Sequence, residues 1–270
     1  MLLKRVVSGL IAVAAILVVL FVLPEGAIAP VLLVVVAASA WEWSSLARLK
    51  ATPSRLLYTL LIVGLTALYW RFTTPQLFGG LLSTAGFWWI AALFLVLRYP
   101  VRIPSFVVKV GGPLTLVSMF AALDGLARFG DREQLLGPVL LLYVLVVIWA
   151  ADIGGYFAGR AIGGAKLAVN VSPNKTWAGV LGGLALSALV GLVGEWMFDI
   201  GWYRIVALCA VTAAVSVLGD LTISLFKREA GLKDSGTLFP GHGGLLDRVD
   251  SISAGSVLFA GGLILGHGPW

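Results

Sequence analysis

From Ser224 to Asp250 the chain reads SLFKREAGLKDSGTLFPGHGGLLDRVD, and Gly219 and Asp220 precede it inside a hydrophobic run. A carboxylate at such depth in a membrane costs roughly 3 kcal/mol or more unless it meets a cation or a water-filled cavity. At helical spacing Asp220, Ser224 and Lys227 share one face, so a carboxylate, a hydroxyl and an ammonium line one strip. Beyond them, Pro240-Gly241-His242-Gly243-Gly244 suits a sharp turn that presents backbone N–H groups to an anion. Asp247, Arg248 and Asp250 then lead into the last apolar run. Carboxylates such as Asp220 and Asp247 suit Mg²⁺, which keeps several waters and takes one or two protein carboxylates together with substrate phosphates. Lys227, Lys233 and Arg248 suit phosphate oxygens, lysine as a point charge and arginine as a planar fork. The set fits nucleotidyl transfer, in which positioning and charge stabilisation carry most of the catalysis.

Each residue also has a plainer reading. Asp220 alone would fit an aspartate bonded to a neighbouring helix, and Lys227, Arg228 and Arg248 would each fit a side chain snorkelling to the headgroups. Gly243 and Gly244 would fit a purely structural turn. Their company in one short stretch favours the site. Glu42, between Trp41 and Trp43 near a span end, reads instead as a solvated interfacial residue.

Two upstream segments are of the same kind: Asp152-Ile153-Gly154-Gly155-Tyr156-Phe157-Ala158-Gly159-Arg160, and Ser172-Pro173-Asn174-Lys175-Thr176-Trp177-Ala178-Gly179. Asp152 is a second carboxylate within an apolar run. It shares a helix face with Tyr156, while Gly155 and Gly159 form a pair of small residues four apart, suited to close helix packing.

Together these segments resemble the phosphatidate cytidylyltransferase (CDP-diglyceride synthetase) family. In the signature, Ser224, Lys227, Arg228, Lys233, Asp234, Gly236, Pro240, His242, Gly243, Gly244, Asp247, Arg248 and Asp250 fall where the family pattern places them. The chain departs from the pattern at Ala178, where members commonly carry Glu or Gln after the tryptophan. The resemblance implies transfer of CMP from CTP to phosphatidate, giving CDP-diacylglycerol and pyrophosphate. It implies a multi-pass helical fold, a homodimer, a requirement for Mg²⁺ held by Asp220 and Asp247, and a second, monovalent cation. Asp220, Lys227, Asp247 and Arg248 are then the expected catalytic set. Asp152, Lys175, Ser224, Arg228, Lys233, Asp234, His242, Gly243, Gly244 and Asp250 are the expected substrate-binding set. A positioning role suits His242 better than a general base, because a phosphate monoester is already largely ionised near neutral pH.

The elements that must position these residues are membrane spans. Of the 270 residues 60% are hydrophobic and only 12% charged, which excludes an ordinary water-soluble domain. Apolar blocks between polar and Pro/Gly breaks predict an all-α, polytopic fold of about nine spans, near 6–23, 27–46, 56–71, 80–97, 107–123, 136–158, 177–198, 203–226 and 252–268. Residues 1–130 form an N-terminal group of about five spans, and 131–270 form the catalytic region with its signature at 224–250. The first apolar stretch follows Lys4 and Arg5 but lacks a convincing cleavage site, so it reads as a retained helix.

With the amino terminus in the cytoplasm, all of the 19 basic residues except Arg71, Arg128, Arg132 and Arg204 fall on the inner side. That bias sets orientation and places the carboxyl terminus outside. The loops at 159–176 and 227–251 then face the cytoplasm, where a nucleoside triphosphate is available, and the bilayer is the bacterial inner membrane. The net charge of +6 is explained by this orientation, so no nucleic-acid partner is called for. Trp41, Trp43, Trp70, Trp177 and Trp202 near span ends read as headgroup-level anchors. The single cysteine, Cys209, excludes an intramolecular disulfide and reads as packed or lipid-facing. Three other readings stay open: another lipid-linked enzyme using CTP, such as a polyprenol kinase or an archaeal-type CDP-lipid synthase; a transporter with a polar cavity; and a binding-only relative.

Overall fold

The computed structural model describes residues 2–130, 136–236 and 243–267. In chain order the elements are α1 (Leu2–Phe21), a 3-10 turn (Glu25–Ala27), α2 (Ile28–Leu46), α3 (Thr52–Arg71), α4 (Pro75–Arg98), α5 (Ser105–Ala127), α6 (Leu136–Ala161), β1 (Lys166–Ala168), β2 (Ser172–Thr176), α7 (Trp177–Phe198), α8 (Trp202–Ala230) and α9 (Leu246–His267). The fold is helical, as its composition requires, apart from one antiparallel hairpin pairing Lys166 with Thr176 and Ala168 with Ser172. That hairpin was expected as loop. Its short ladder satisfies backbone groups that a loop lying against the helix ends would otherwise leave unpaired.

Seven helices, α2 and α4 to α9, are long and apolar enough to cross a membrane. The remaining two stand where spans were expected. Within α1 the apolar stretch counted is the shorter Gly9–Phe21, and α3 falls outside the seven.

Helix ends depart from the apolar boundaries in one consequential way. The eighth helix continues past residue 226 to Ala230, carrying Lys227 and Arg228 on its last turn, and ends at Gly231 in the left-handed conformation (φ 74°). The ninth starts at Leu246, so Asp247, Arg248 and Asp250 occupy its first turns rather than a loop. Hydropathy marks where apolar side chains stop. Hydrogen bonding and caps mark where helices stop.

Two features tie the amino-terminal helices to the rest. Pro113, inside α5, has no N–H to give the carbonyl of Lys109, and the Tyr58 hydroxyl of α3 donates to that oxygen at 2.8 Å. Trp43 of α2 is fully buried, its indole N–H donating to the Val108 carbonyl at 2.8 Å. Trp43 is therefore a packing residue and not a headgroup anchor, because the adjoining glycines of α5 leave space for its ring: a side chain at Gly112 would meet both Trp43 and Tyr58. Trp41, Trp70, Trp177 and Trp202 are exposed, as anchors should be. Cys209 is packed, with its sulfur 3.2 Å from the Tyr143 hydroxyl.

The carboxyl-terminal half is built on the close contact of α6 with α7, the most extensive helix pairing in the fold. It depends on missing side chains. A Cβ at Gly182 would overlap Ala158 and the Gly154 carbonyl, and a Cβ at Gly179 would stand 2.8 Å from the Gly155 carbonyl oxygen. Gly155 and Gly159 thus serve the tight packing expected of them.

Candidate active site

The start of α7 is fixed by Thr176, whose hydroxyl accepts the Gly179 N–H at 3.0 Å as an N-cap. Ordering Thr176 orders its neighbour Lys175 on β2. The Lys175 ammonium reaches across to α8 and stands 2.6 Å from Asp220 Oδ2. The other oxygen of Asp220 accepts the Ser224 hydroxyl at 3.0 Å, one helical turn on, as the shared face of α8 predicted. Asp220 and Lys175 are both about a quarter exposed (26% and 25%), so the pair is wetted and not sealed.

They border a cavity of about 480 Å³, within the roughly 300–1,000 Å³ of small-molecule sites. Its walls are Ala151, Asp152, Gly155, Tyr156, Gly159 and Arg160 of α6, Asn174, Lys175 and Thr176 of β2, Gly179 and Val180 of α7, and Val217 and Asp220 of α8. The small residues that let α6 and α7 approach therefore also form the floor of the polar site. Arg160, whose guanidinium donates to the Tyr156 hydroxyl at 2.9 Å, and Asn174 join the site although the sequence reading had not singled them out.

Asp152 lies close enough to Asp220 for their charges to repel, and Asp250 of α9 feels both. Ser251 also approaches Asp152, Oγ to Oδ1 at 3.5 Å. Three carboxylates from three helices thus lie near the Lys175–Asp220 pair.

A second node adjoins the first. Lys227 does not point along the Asp220 strip; its ammonium stands 2.6 Å from Asp247 Oδ1, with both side chains nearly buried. Asp247 Oδ2 accepts the backbone N–H of Ser235 at 2.9 Å and of Gly244 at 3.0 Å. Gly243, at φ 79°, makes the turn that brings Gly244 into reach. The two glycines therefore hold a carboxylate of the chain itself.

The remaining predicted residues are spread more widely. Arg228 is exposed and its Nε donates to the Val171 carbonyl of the hairpin turn at 3.3 Å. Lys233, Asp234 and Arg248 are exposed and are not among the residues lining the cavity. Pro240, Gly241 and His242 lie outside the described residues.

The sequence reading of Glu42 is overturned. Glu42 is buried, 6% exposed, and accepts three hydrogen bonds: from Ser235 Oγ at 2.8 Å, Leu245 N at 2.9 Å and Leu246 N at 2.8 Å. Its nearness to a span end suggested solvent, but Ser235, Leu245 and Leu246 pack against its carboxylate there.

A divalent cation fits this donor set. Among the described residues no three metal-ligating side chains converge on one point. Mg²⁺ asks for no more than one or two carboxylates, the rest of its shell being water and phosphate oxygens. Asp220, on the cavity wall, offers one such carboxylate, its oxygens at present engaged by Lys175 and Ser224. Asp247 is a second carboxylate, engaged by Lys227 and the amides of Ser235 and Gly244.

Comparison with known proteins shows the family of the chain. The model of the cytidylyltransferase family matches residues 3–263. A phosphatidate cytidylyltransferase of Haemophilus influenzae is 38% identical, over 96% of this chain and 98% of its own length. One from Pseudomonas aeruginosa is 39% identical over 96% of each chain. One from Brucella suis is 44% identical over a shorter match, 52% of this chain and 51% of its own.

Proposed function

We propose a reaction and its residue roles from one premise: this chain belongs to the cytidylyltransferase family. It is a nucleotidyltransferase that uses CTP and phosphatidate to make CDP-diacylglycerol and pyrophosphate. In the reaction a phosphate oxygen of phosphatidate attacks the α-phosphorus of CTP in line. The new P–O bond forms as the bond from the α-phosphorus to the β-phosphate oxygen breaks, and pyrophosphate leaves. No protein nucleophile is needed, because the lipid phosphate is already an anion.

The observation that carries the residue roles is the pair of ammonium–carboxylate contacts, Lys175 with Asp220 and Lys227 with Asp247, each at 2.6 Å. We assign the two carboxylates to Mg²⁺ and the two ammoniums to phosphate oxygens, so that each pair separates as substrate binds and every charge finds a new partner. When bound, Mg²⁺ supplies charge neutralisation at the phosphates. Arg160 and Asn174 add donors to the lining of the cavity. Arg248 and Lys233, exposed on the segment that carries Asp247, suit the pyrophosphate end. For the second, monovalent cation the carboxylates left over are Asp152 and Asp250, and the reaction is accounted for without it.

Lipid access is part of the same proposal. An apolar cleft of about 700 Å³ runs between α4, α8 and α9, and its wall residues Leu218 and Ala254 stand within about a turn of Asp220 and Asp250. Acyl chains in that cleft would bring a headgroup toward the acidic cluster. We place the cavity on the cytoplasmic side of the bacterial inner membrane, following the distribution of basic residues, and take the working form as a homodimer.

The test is direct. Purified protein in detergent, given labelled CTP, phosphatidate and Mg²⁺, should release pyrophosphate and form a CDP-lipid. No product across several lipids and metals would overturn the reading, and transfer to a polyprenol alone would redirect it.

A further inference from the structure

We propose that Glu42 is a positioning residue of the active site: from the amino-terminal half of the chain it holds the turn that sets Asp247. The inference rests on the cytidylyltransferase reading above. Helix α9 begins at Leu246, and the amides that open a helix have no partner within it. The donors at Leu245 and Leu246 are met by the Glu42 carboxylate of α2, at 2.9 Å and 2.8 Å. A side chain from a distant helix thus does the work of an N-cap, and its negative charge suits the positive end of the α9 dipole.

The same carboxylate also fixes Ser235, by accepting its hydroxyl at 2.8 Å. Ser235 N and Gly244 N are the two amides that hold Asp247 Oδ2. Glu42 therefore binds each segment that supplies a donor to Asp247, without touching Asp247 itself. Space is reserved for it: a Cβ on either Gly236 or Gly244 would run into the Glu42 carboxylate. Arg48, just past the end of α2, ties the same helix to Glu229 of α8 through the Glu229 carbonyl and its carboxylate, the latter at 3.2 Å. The end of α2 is thereby fastened to both helices that carry the Lys227–Asp247 pair.

A carboxylate accepting three donors cannot be replaced by an amide without turning an N–H toward another N–H. Glu42→Gln should leave α2 buried as before but loosen the turn. In full-length protein in detergent, kcat/KM for CTP should fall roughly 10–100-fold, the effect of disturbing groups that orient a metal or phosphate ligand. KM for phosphatidate should be unchanged, and amide hydrogen exchange across 243–249 should quicken. Glu42→Ala should be worse than Glu42→Gln, which keeps one acceptor. A role in folding alone would lower the yield of folded protein while leaving the kinetic constants of the folded fraction at their wild-type values.

Wild-type kcat/KM for CTP in folded Glu42→Gln and Glu42→Ala, or unchanged exchange at 243–249, would overturn the proposal. Should the Glu42 variants not fold, Ser235→Ala decides. It removes one donor and leaves the carboxylate in place, so faster exchange at 243–249 and a lower kcat/KM for CTP support the proposal, and wild-type values of both defeat it. Wild-type protein that forms no CDP-lipid would instead sink the underlying reaction, which is a separate outcome.

Discussion

Lys175 and Asp220 meet at 2.6 Å although one lies on the hairpin before α7 and the other in α8 after it, so this ion pair of the cavity is made by folding α8 back along α7. Its two members are expected to act as a unit. Asp220→Asn should cut turnover by orders of magnitude while the protein stays folded. Lys175→Met should weaken CTP use, and the double variant should lose less than the sum, with a coupling of about 0.5–3 kcal/mol. Steady-state kinetics on the four proteins measure this; additive losses would show that the contact plays no part in the reaction.

The Lys227–Asp247 pair should show itself in stability as well as rate. Its side chains are 12% and 10% exposed, and removing one partner of a buried pair costs roughly 3–5 kcal/mol. Asp247→Asn strands the Lys227 ammonium, whereas Lys227→Met leaves Asp247 with the amides of Ser235 and Gly244. Thermal unfolding in detergent should therefore show a larger fall in midpoint for Asp247→Asn than for Lys227→Met. The opposite order would contradict the assignment.

Removal of divalent metal should abolish CDP-lipid formation, and Mg²⁺ should restore it. Asp220→Glu, which keeps the charge and moves it by one methylene, should need more Mg²⁺ for half-maximal rate. Activity that survives thorough chelation would remove metal from Asp220 and Asp247 alike.

Far from the cavity, Tyr58→Phe should separate stability from catalysis. Without the hydroxyl, the Lys109 carbonyl left unpaired by Pro113 has no donor, at a cost of about 1–3 kcal/mol. The melting midpoint should drop while kcat of the folded protein holds. A midpoint equal to wild type would mean another group takes the carbonyl.

Gly182→Leu tests whether α6–α7 contact builds the cavity. The site has no room even for a Cβ beside Ala158, so α7 must shift and carry Lys175 with it. Binding of CTP, followed by calorimetry on whatever folded protein remains, should be lost. Normal CTP affinity would show that the cavity tolerates separation of the two helices.

Much of this architecture follows from the order of residues alone. Long apolar runs leave a helix as the main way to satisfy the backbone in a membrane, so the helical class and the approximate places of the helices are fixed locally. That Asp220, Ser224, Lys227, Asp247 and Lys175 form polar clusters was legible too, because charged and glycine residues in apolar surroundings stand out. Local pattern also gave Ser224 on Asp220, since one turn of helix relates them. The hairpin at 166–176 was not legible, its strands being short and polar.

What the chain order determined, then, is the kind of solvent the protein lives in and the inventory of groups able to handle phosphate and metal. Only the folded arrangement decided the pairings: Lys175 with Asp220, Lys227 with Asp247 and not with the Asp220 strip, and Glu42 with the start of α9. The physical reason is range. Helix formation is set by neighbours a turn away, whereas a carboxylate takes whichever donors close packing delivers, and at Glu42 these came from more than half the chain away because the glycines at 236 and 244 leave room for its carboxylate.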